Sequence, residues 1–376
     1  HGTFGFCGNG YRKTYKNEEN VQMNNHSSNS QRQSSEMRHF SQSSQSLRPR
    51  SVRELCPDSP ELLLPAGCPL ADGFPGSGTS GRLTAHIIAL GDVGSALLLG
   101  LRLLGADVLS SIGIYDMNEN IIRRYEMEMN QIGWPFGSHP LPDVKAVTEA
   151  ELLDCDIVIF CASKAVPPVG AGGDVRMAQF EANRKIASYY GNLAGQKGFK
   201  GIFAVVSDPV DPLCKEVLLS SGLHPSQVRG YGLGVMNKRA EYFARKDERF
   251  SSYLQSGRAF GPHGADLVIA NSITDYDEAL SDELTKLTVN ANMAVRELGF
   301  KPYIAPALSS GAVSLLLTLQ GRWNYSSVYM GNDRKGAFLG IKNRIFEGAA
   351  QIEDLPLSPS LYCRIERAYD NLLKLI

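Results

Sequence analysis

The sequence predicts an α/β fold, a doubly wound parallel sheet followed by a second, mixed α+β domain. Three observations carry this expectation. From residue 82 to about 234, short apolar runs alternate with stretches of helical period, the pattern of strands covered on both faces by helices. A glycine-rich turn, Ala89-Leu90-Gly91-Asp92-Val93-Gly94, joins the first apolar run to a helical one, and Asp116 closes the next apolar run. Beyond about 234 the alternation weakens and long amphipathic stretches take over.

Residues 1–81 differ from the rest. The stretch 26–47 is dominated by Ser, Gln, Asn and Arg, and 66–81 is rich in Gly, Pro and Ser. Such compositions bury too little apolar surface to offset ordering entropy, so this region reads as a disordered, low-complexity extension with a short ordered turn at 61–65. Strands are then expected at 85–89, 110–115, 157–161, 201–206 and 227–233, and helices at about 95–104, 119–131, 177–193 and 212–219. Amphipathic helices follow at 238–249, 277–298 and 362–375. The expected boundaries are 1–81 for the extension, 82–234 for the doubly wound domain and 235–376 for the mixed one.

Composition narrows the class of function. The chain has 376 residues and a formal net charge of −1, so no global field draws it to nucleic acid or anionic lipid. No apolar run approaches the ~18 residues that a membrane span needs. The seven cysteines are widely spaced without a C-x-x-C pair, which argues against a disulfide framework or a zinc site. No signal-peptide pattern is evident, and the expected compartment is the cytoplasm.

The turn at 89–94 has a chemical reading. A helix starting after it aims N–H groups at whatever sits above the turn, which suits a pyrophosphate. Gly91 lets the backbone approach the phosphates, and Gly94 lets the helix pack close to the strand. Asp92 and Val93 lie between them. Asp116, at the end of the second strand, is placed to take ribose hydroxyls and would repel a 2′-phosphate, so the expected cofactor is NAD rather than NADP.

Three further residues stand in contexts suited to chemistry. Arg176 follows a Pro/Gly-rich loop, 163–175, that reads as a lid. Arg239 opens a helical stretch, and its planar guanidinium matches a carboxylate. His263 lies in Gly261-Pro262-His263-Gly264, a bend that leaves an imidazole exposed to a cleft, where it can take and return a proton near neutral pH. Taken singly, each is better read as a solvated arginine or as a structural or solvated histidine.

Together, the residues from 82 to 376 resemble the lactate/malate dehydrogenase family. The glycine turn and Asp116 resemble its NAD site, on a Rossmann-type sheet. Arg176 followed by Asn183 resembles the arginine-to-asparagine element after its substrate loop. Ser207-Asp208-Pro209-Val210-Asp211 resembles its S-N-P-V-D, Arg239 its carboxylate-binding arginine, and Phe260-Gly261-Pro262-His263-Gly264 the segment that carries its catalytic histidine. The resemblance implies interconversion of a 2-hydroxy acid and a 2-oxo acid, with a small-molecule substrate and a homodimer or homotetramer. Arg239 would hold the substrate carboxylate, Arg176 would polarise its carbonyl, and His263 would carry the proton. Asn183 and Ser207 would border substrate and nicotinamide ribose.

Two positions depart from the family pattern. The family has an aspartate three residues before the carboxylate-binding arginine, where it orients the histidine; this chain has Met236. The family asparagine after the serine is Asp208 here. A carboxylate at 208 restores negative charge near His263 and is expected to compensate for Met236, which makes Asp208 a candidate catalytic residue. The loop before Arg176 holds no arginine or glutamine, only Lys164, so a second substrate carboxylate would lack a partner. A monocarboxylate with an apolar side chain is therefore expected. The competing reading is a non-catalytic or weakly active NAD-binding homologue. A metal-assisted NAD-dependent glycosidase on a related fold lacks a recognisable ligand motif.

Overall fold

A computed structural model describes residues 48–73, 81–164, 175–332 and 335–375, without the side chains of 175–179. The chain divides into two units, His1–Ser46 and Leu47–Ile376, of which the first lies outside the described residues.

Six strands run parallel: β1 (Leu83–Ile88), β2 (Leu109–Tyr115), β3 (Asp143–Ala146), β4 (Ile157–Phe160), β5 (Ile202–Val205) and β6 (Val228–Gly230). The central ones are apolar along their whole length because both faces are covered; all four residues of β4 and of β5 are buried. Between and after them run α1 (Asp92–Leu104), α2 (Glu119–Asn130), α3 (Val175–Lys197), α4 (Val210–Ser221) and α5 (Leu233–Ala244). The sequence expectation places these strands and helices correctly to within a few residues. It misses β3, where only Val144 turns inward and leaves no periodic apolar signal.

The rest of the chain adds α6 (Tyr253–Ser256), the hairpin β7 (Arg258–Phe260) and β8 (Val268–Ala270), and α7 (Glu278–Glu297). A π-helical segment, Pro306–Val313, continues into α8 (Ser314–Leu319). The antiparallel strands β9 (Asn324–Gly331), β10 (Gly336–Phe346) and β11 (Ala349–Ile352) precede α9 (Pro359–Leu375). β9 pairs with β6, so one nine-stranded sheet has the order β11-β10-β9-β6-β5-β4-β1-β2-β3. The sheet thus runs across the boundary expected at 234/235.

The expected disordered extension needs correction over 48–73. Val52, Leu62, Leu64, Cys68 and Leu70 are buried, Leu63 bridges to Ala349, and Arg50 bridges to Leu357 and lies over the Tyr362 ring. These few apolar residues make no core of their own. They complete clusters built by the sheet and α9, a long-range effect that local composition does not reveal. Residues 1–47 and 74–80 lie outside the described residues.

Chain order reverses between β1 and β4: β2 and β3 lie to one side, β5 and β6 to the other. The crevice at the carboxyl ends of the strands beside such a switch point is where open α/β sheets bind ligands.

Candidate active site

Nearly all the residues singled out in the sequence lie at that carboxyl edge. The 89–94 turn follows β1, Asp116 follows β2, Ser207 and Asp208 follow β5, and Met236 and Arg239 ride on α5 just after β6. His263 arrives from elsewhere, in the bend between β7 and β8.

The turn is tight. Ala89 sits at φ +71°, the left-handed region that favours glycine, at a cost of about 1–2 kcal/mol for an alanine. A Cβ on Gly94 would lie 2.0 Å from the Ala89 carbonyl oxygen, so α1 is pressed directly onto the strand end. A Cβ on Gly91 would meet nothing within 4 Å, which leaves open space above the turn. Asp116 braces the turn: one carboxylate oxygen accepts from the Leu90 N–H at 2.8 Å, the other from the Asn118 N–H at 2.9 Å. Each oxygen keeps acceptor capacity for a ribose hydroxyl. Asp92, at the first position of α1, is paired with Lys301 at 2.8 Å. Helix N–H donors, open space over Gly91 and a carboxylate at the β2 end together fit a dinucleotide such as NAD.

Two of the expected contact residues are closed off. Asn183 is fully buried. Its Oδ1 accepts from the Lys164 N–H at 2.8 Å, and its Nδ2 donates to the Asp208 carbonyl at 2.8 Å and to the Ser163 hydroxyl at 3.3 Å. In this structure it brackets the segments after β4 and β5 and offers no exposed atom. Ser207 is likewise buried, and its hydroxyl donates to the Ala162 carbonyl at 2.5 Å. Arg176 lies in the first turn of α3, where its side chain is outside the described residues, as is the expected lid from 165 to 174.

Two of the catalytic candidates, His263 and Arg239, lie near Asp208. Its Oδ1 lies 3.1 Å from His263 Nδ1, with the imidazole mostly buried and the carboxylate half exposed. The bend is fixed from both sides. Gly261, at φ +88°, donates to the Gly340 carbonyl of β10 at 2.9 Å, and a Cβ on Gly232 would lie 3.0 Å from that of His263. Arg239 is half-buried. Burial pulls its guanidinium below the ordinary value while the nearby Asp208 carboxylate opposes that. Its side chain is held by Asn292 of α7 and by the Met236 sulfur, the latter at 3.3 Å. No carboxylate pairs with it directly among the described residues, and a buried guanidinium in that condition suits a carboxylate ligand. Met236 itself is buried in the core between α5 and α7, with no charge to offer the histidine.

Residues 85–230 match the family model described as lactate/malate dehydrogenase, NAD binding domain, a span that runs from β1 to β6. Over that span the chain belongs to the lactate/malate dehydrogenase family, from whose curated members it is divergent. It is 27% identical over 178 residues to an L-lactate dehydrogenase of Staphylococcus saprophyticus, covering 47% of this chain and 54% of that relative. It is 26% identical over 292 residues to L-lactate dehydrogenase 2 of Staphylococcus aureus, covering 72% of this chain and 89% of the relative. The fold is similar to that of the minor L-lactate dehydrogenase from Enterococcus mundtii, with TM-score 0.65 and 22% identity over 77% of this chain and 96% of that one. It is also similar to the malate dehydrogenase from Picrophilus torridus, with TM-score 0.64 and 18% identity over 78% of this chain and 96% of that one.

Two residues at this site escaped the sequence reading: Asn292 and Lys301 lie far along the chain from the groups they hold and carry no local signal. Asp211 was read only as part of the segment resembling S-N-P-V-D, with no role of its own.

Proposed function

We propose that this protein is an NAD-dependent oxidoreductase that interconverts a 2-oxo acid and a 2-hydroxy acid, with a monocarboxylate as substrate. The observation that carries the proposal is the His263–Asp208 pair standing near a half-buried Arg239 that makes no direct ion pair with a carboxylate among the described residues. NAD, when bound, supplies or receives the hydride. The residues of the chain do the rest. Arg239 binds the substrate carboxylate, and Arg176, by family resemblance, polarises the carbonyl. His263 holds a proton and delivers it to the carbonyl oxygen as the alcohol forms. Asp208 accepts at Nδ1, fixes the tautomer and stabilises the imidazolium, the task the family assigns to the aspartate replaced by Met236. In the reduction, the 2-oxo acid, NADH and one proton give the 2-hydroxy acid and NAD⁺.

Assay of the purified chain with NADH and a panel of 2-oxo acids tests this reading. Reduction of monocarboxylates with apolar side chains supports it. Fast reduction of oxaloacetate alone would overturn the substrate preference. NADH binding with no turnover on any member would favour the non-catalytic reading, for which Met236 is the supporting observation.

The family resemblance also supports a homodimer or homotetramer. Exposed apolar side chains on and after α7, including Leu298, Phe300 and Ile304, offer surface for such an assembly.

A further inference from the structure

Asp211, the second residue of α4, is 3% exposed. Its Oδ1 is buried without a hydrogen-bond partner among the described residues, while the Ser327 hydroxyl of β9 faces the carboxyl. An unsatisfied buried carboxyl oxygen is costly and calls for an explanation. The first turn of α4 favours a negative charge there, but a position in solvent would gain the same benefit without the desolvation cost.

The surroundings supply the explanation. Asp211 and His263 line the same cavity of about 230 Å³, whose wall is otherwise mostly apolar, with Phe180, Pro209, Pro262 and Leu372. Asp266 also lines it, with its Oδ2 taken by Asn371. Burial pushes the Asp211 carboxyl up to about 6; His263 pulls it back down and Asp208 pushes it further up. Cys214 is buried one turn further along α4, and Lys215 donates to the Gly336 carbonyl at 2.7 Å. Arg229 is held through one terminal nitrogen by Ser326 and Asn343, its Nε has no partner among the described residues, and it does not line the cavity. Among the described residues that line the cavity, His263 is the one that can carry a positive charge.

We propose that Asp211 is a positioning residue for His263, a second carboxyl that stabilises the imidazolium from the cavity side while Asp208 holds Nδ1. His263 then stands between two carboxyls, one half exposed and one buried, and the buried one is less screened by solvent and salt. The inference rests on the dehydrogenase reading only in taking His263 as the group that carries the proton.

The test is the titration of the His263 ring, followed by NMR in the full chain without substrate and assigned by the signal missing from His263→Gln. Asp211→Asn is expected to move the titration midpoint to lower pH by about half to one unit, since a stabilising negative charge is removed. Asp211→Glu is expected to retain most of the wild-type value. Ser327→Ala strips support from the ionised carboxyl and is expected to move the midpoint in the same direction by less; it also decides the matter if Asp211→Asn fails to fold. An unchanged midpoint in the folded variants would overturn the proposal. A shifted midpoint in a protein that reduces no 2-oxo acid would leave it standing while the dehydrogenase reading fell.

Discussion

The glycine-rich turn, where Ala89 stands at the first glycine of the G-x-G-x-x-G pattern, and the histidine site, where Met236 stands at the family aspartate, absorb their departures in opposite ways. At the turn the backbone path is kept and the residue is strained: Ala89 adopts φ +71° because Gly94 packs against its carbonyl and Asp116 braces the next N–H. At the histidine the residue type changes and the charge moves: Met236 is apolar, and a carboxylate reaches His263 from Asp208 on another loop. A tight backbone turn has one geometry and tolerates only local strain. A charge acts over several ångströms, so any element that brings a carboxylate close enough can supply it.

Variants at the two regions test this contrast. The largest effect is expected at the histidine. His263→Gln should lower kcat by about 10²–10⁴-fold, while NADH affinity, read by fluorescence titration, stays near the wild-type value. A matching loss of NADH affinity would show that the two regions are not separable. Gly94→Ala should do the reverse of a catalytic change: the added methyl displaces α1 from the strand end, costing about 1–3 kcal/mol of stability and weakening NADH binding.

Stability against pH sharpens the contrast at Asp211. Burial holds its carboxyl at about 6, above the ordinary aspartate value of 3.8, so the native state binds the extra proton between those values. Stability is therefore expected to fall as pH rises through that window, with the full penalty above about pH 6. Asp211→Asn should remove that slope and be more stable than wild type at pH 7 by about 2 kcal/mol, measured by thermal melts from pH 4 to 7. Equal slopes in the two proteins would contradict a strained, functional carboxyl. The smallest effect is expected from Ala89→Gly, a gain of about 1 kcal/mol as the left-handed strain is relieved.

Most of the parallel sheet was legible in the sequence because its strands are apolar on both faces and its turn residues carry local signals. The glycine turn, Asp116 and the ends of α1 and α2 follow from such signals. The order of β9 to β11 beside β6 was not legible, since antiparallel pairing across more than 90 residues leaves no local period. Nor was the order in 48–73, where isolated residues such as Val52 and Leu70 gain their core from elsewhere. In the site, Asp208 and His263 were legible as a pair only because two departures coincided. Asn183 was recognised, but its burial against Lys164 and Asp208 was not legible, because sequence does not place those residues beside it.

The proposed chemistry requires Asp208 to supply the charge that position 236 lacks. The direct measurement is the pH profile of 2-oxo acid reduction by Asp208→Asn, with and without Met236→Asp. Asp208→Asn is expected to lower kcat/KM about 10–100-fold and to move the profile to lower pH, and adding Met236→Asp is expected to restore much of the rate. Unchanged turnover and an unchanged profile in Asp208→Asn would contradict that requirement.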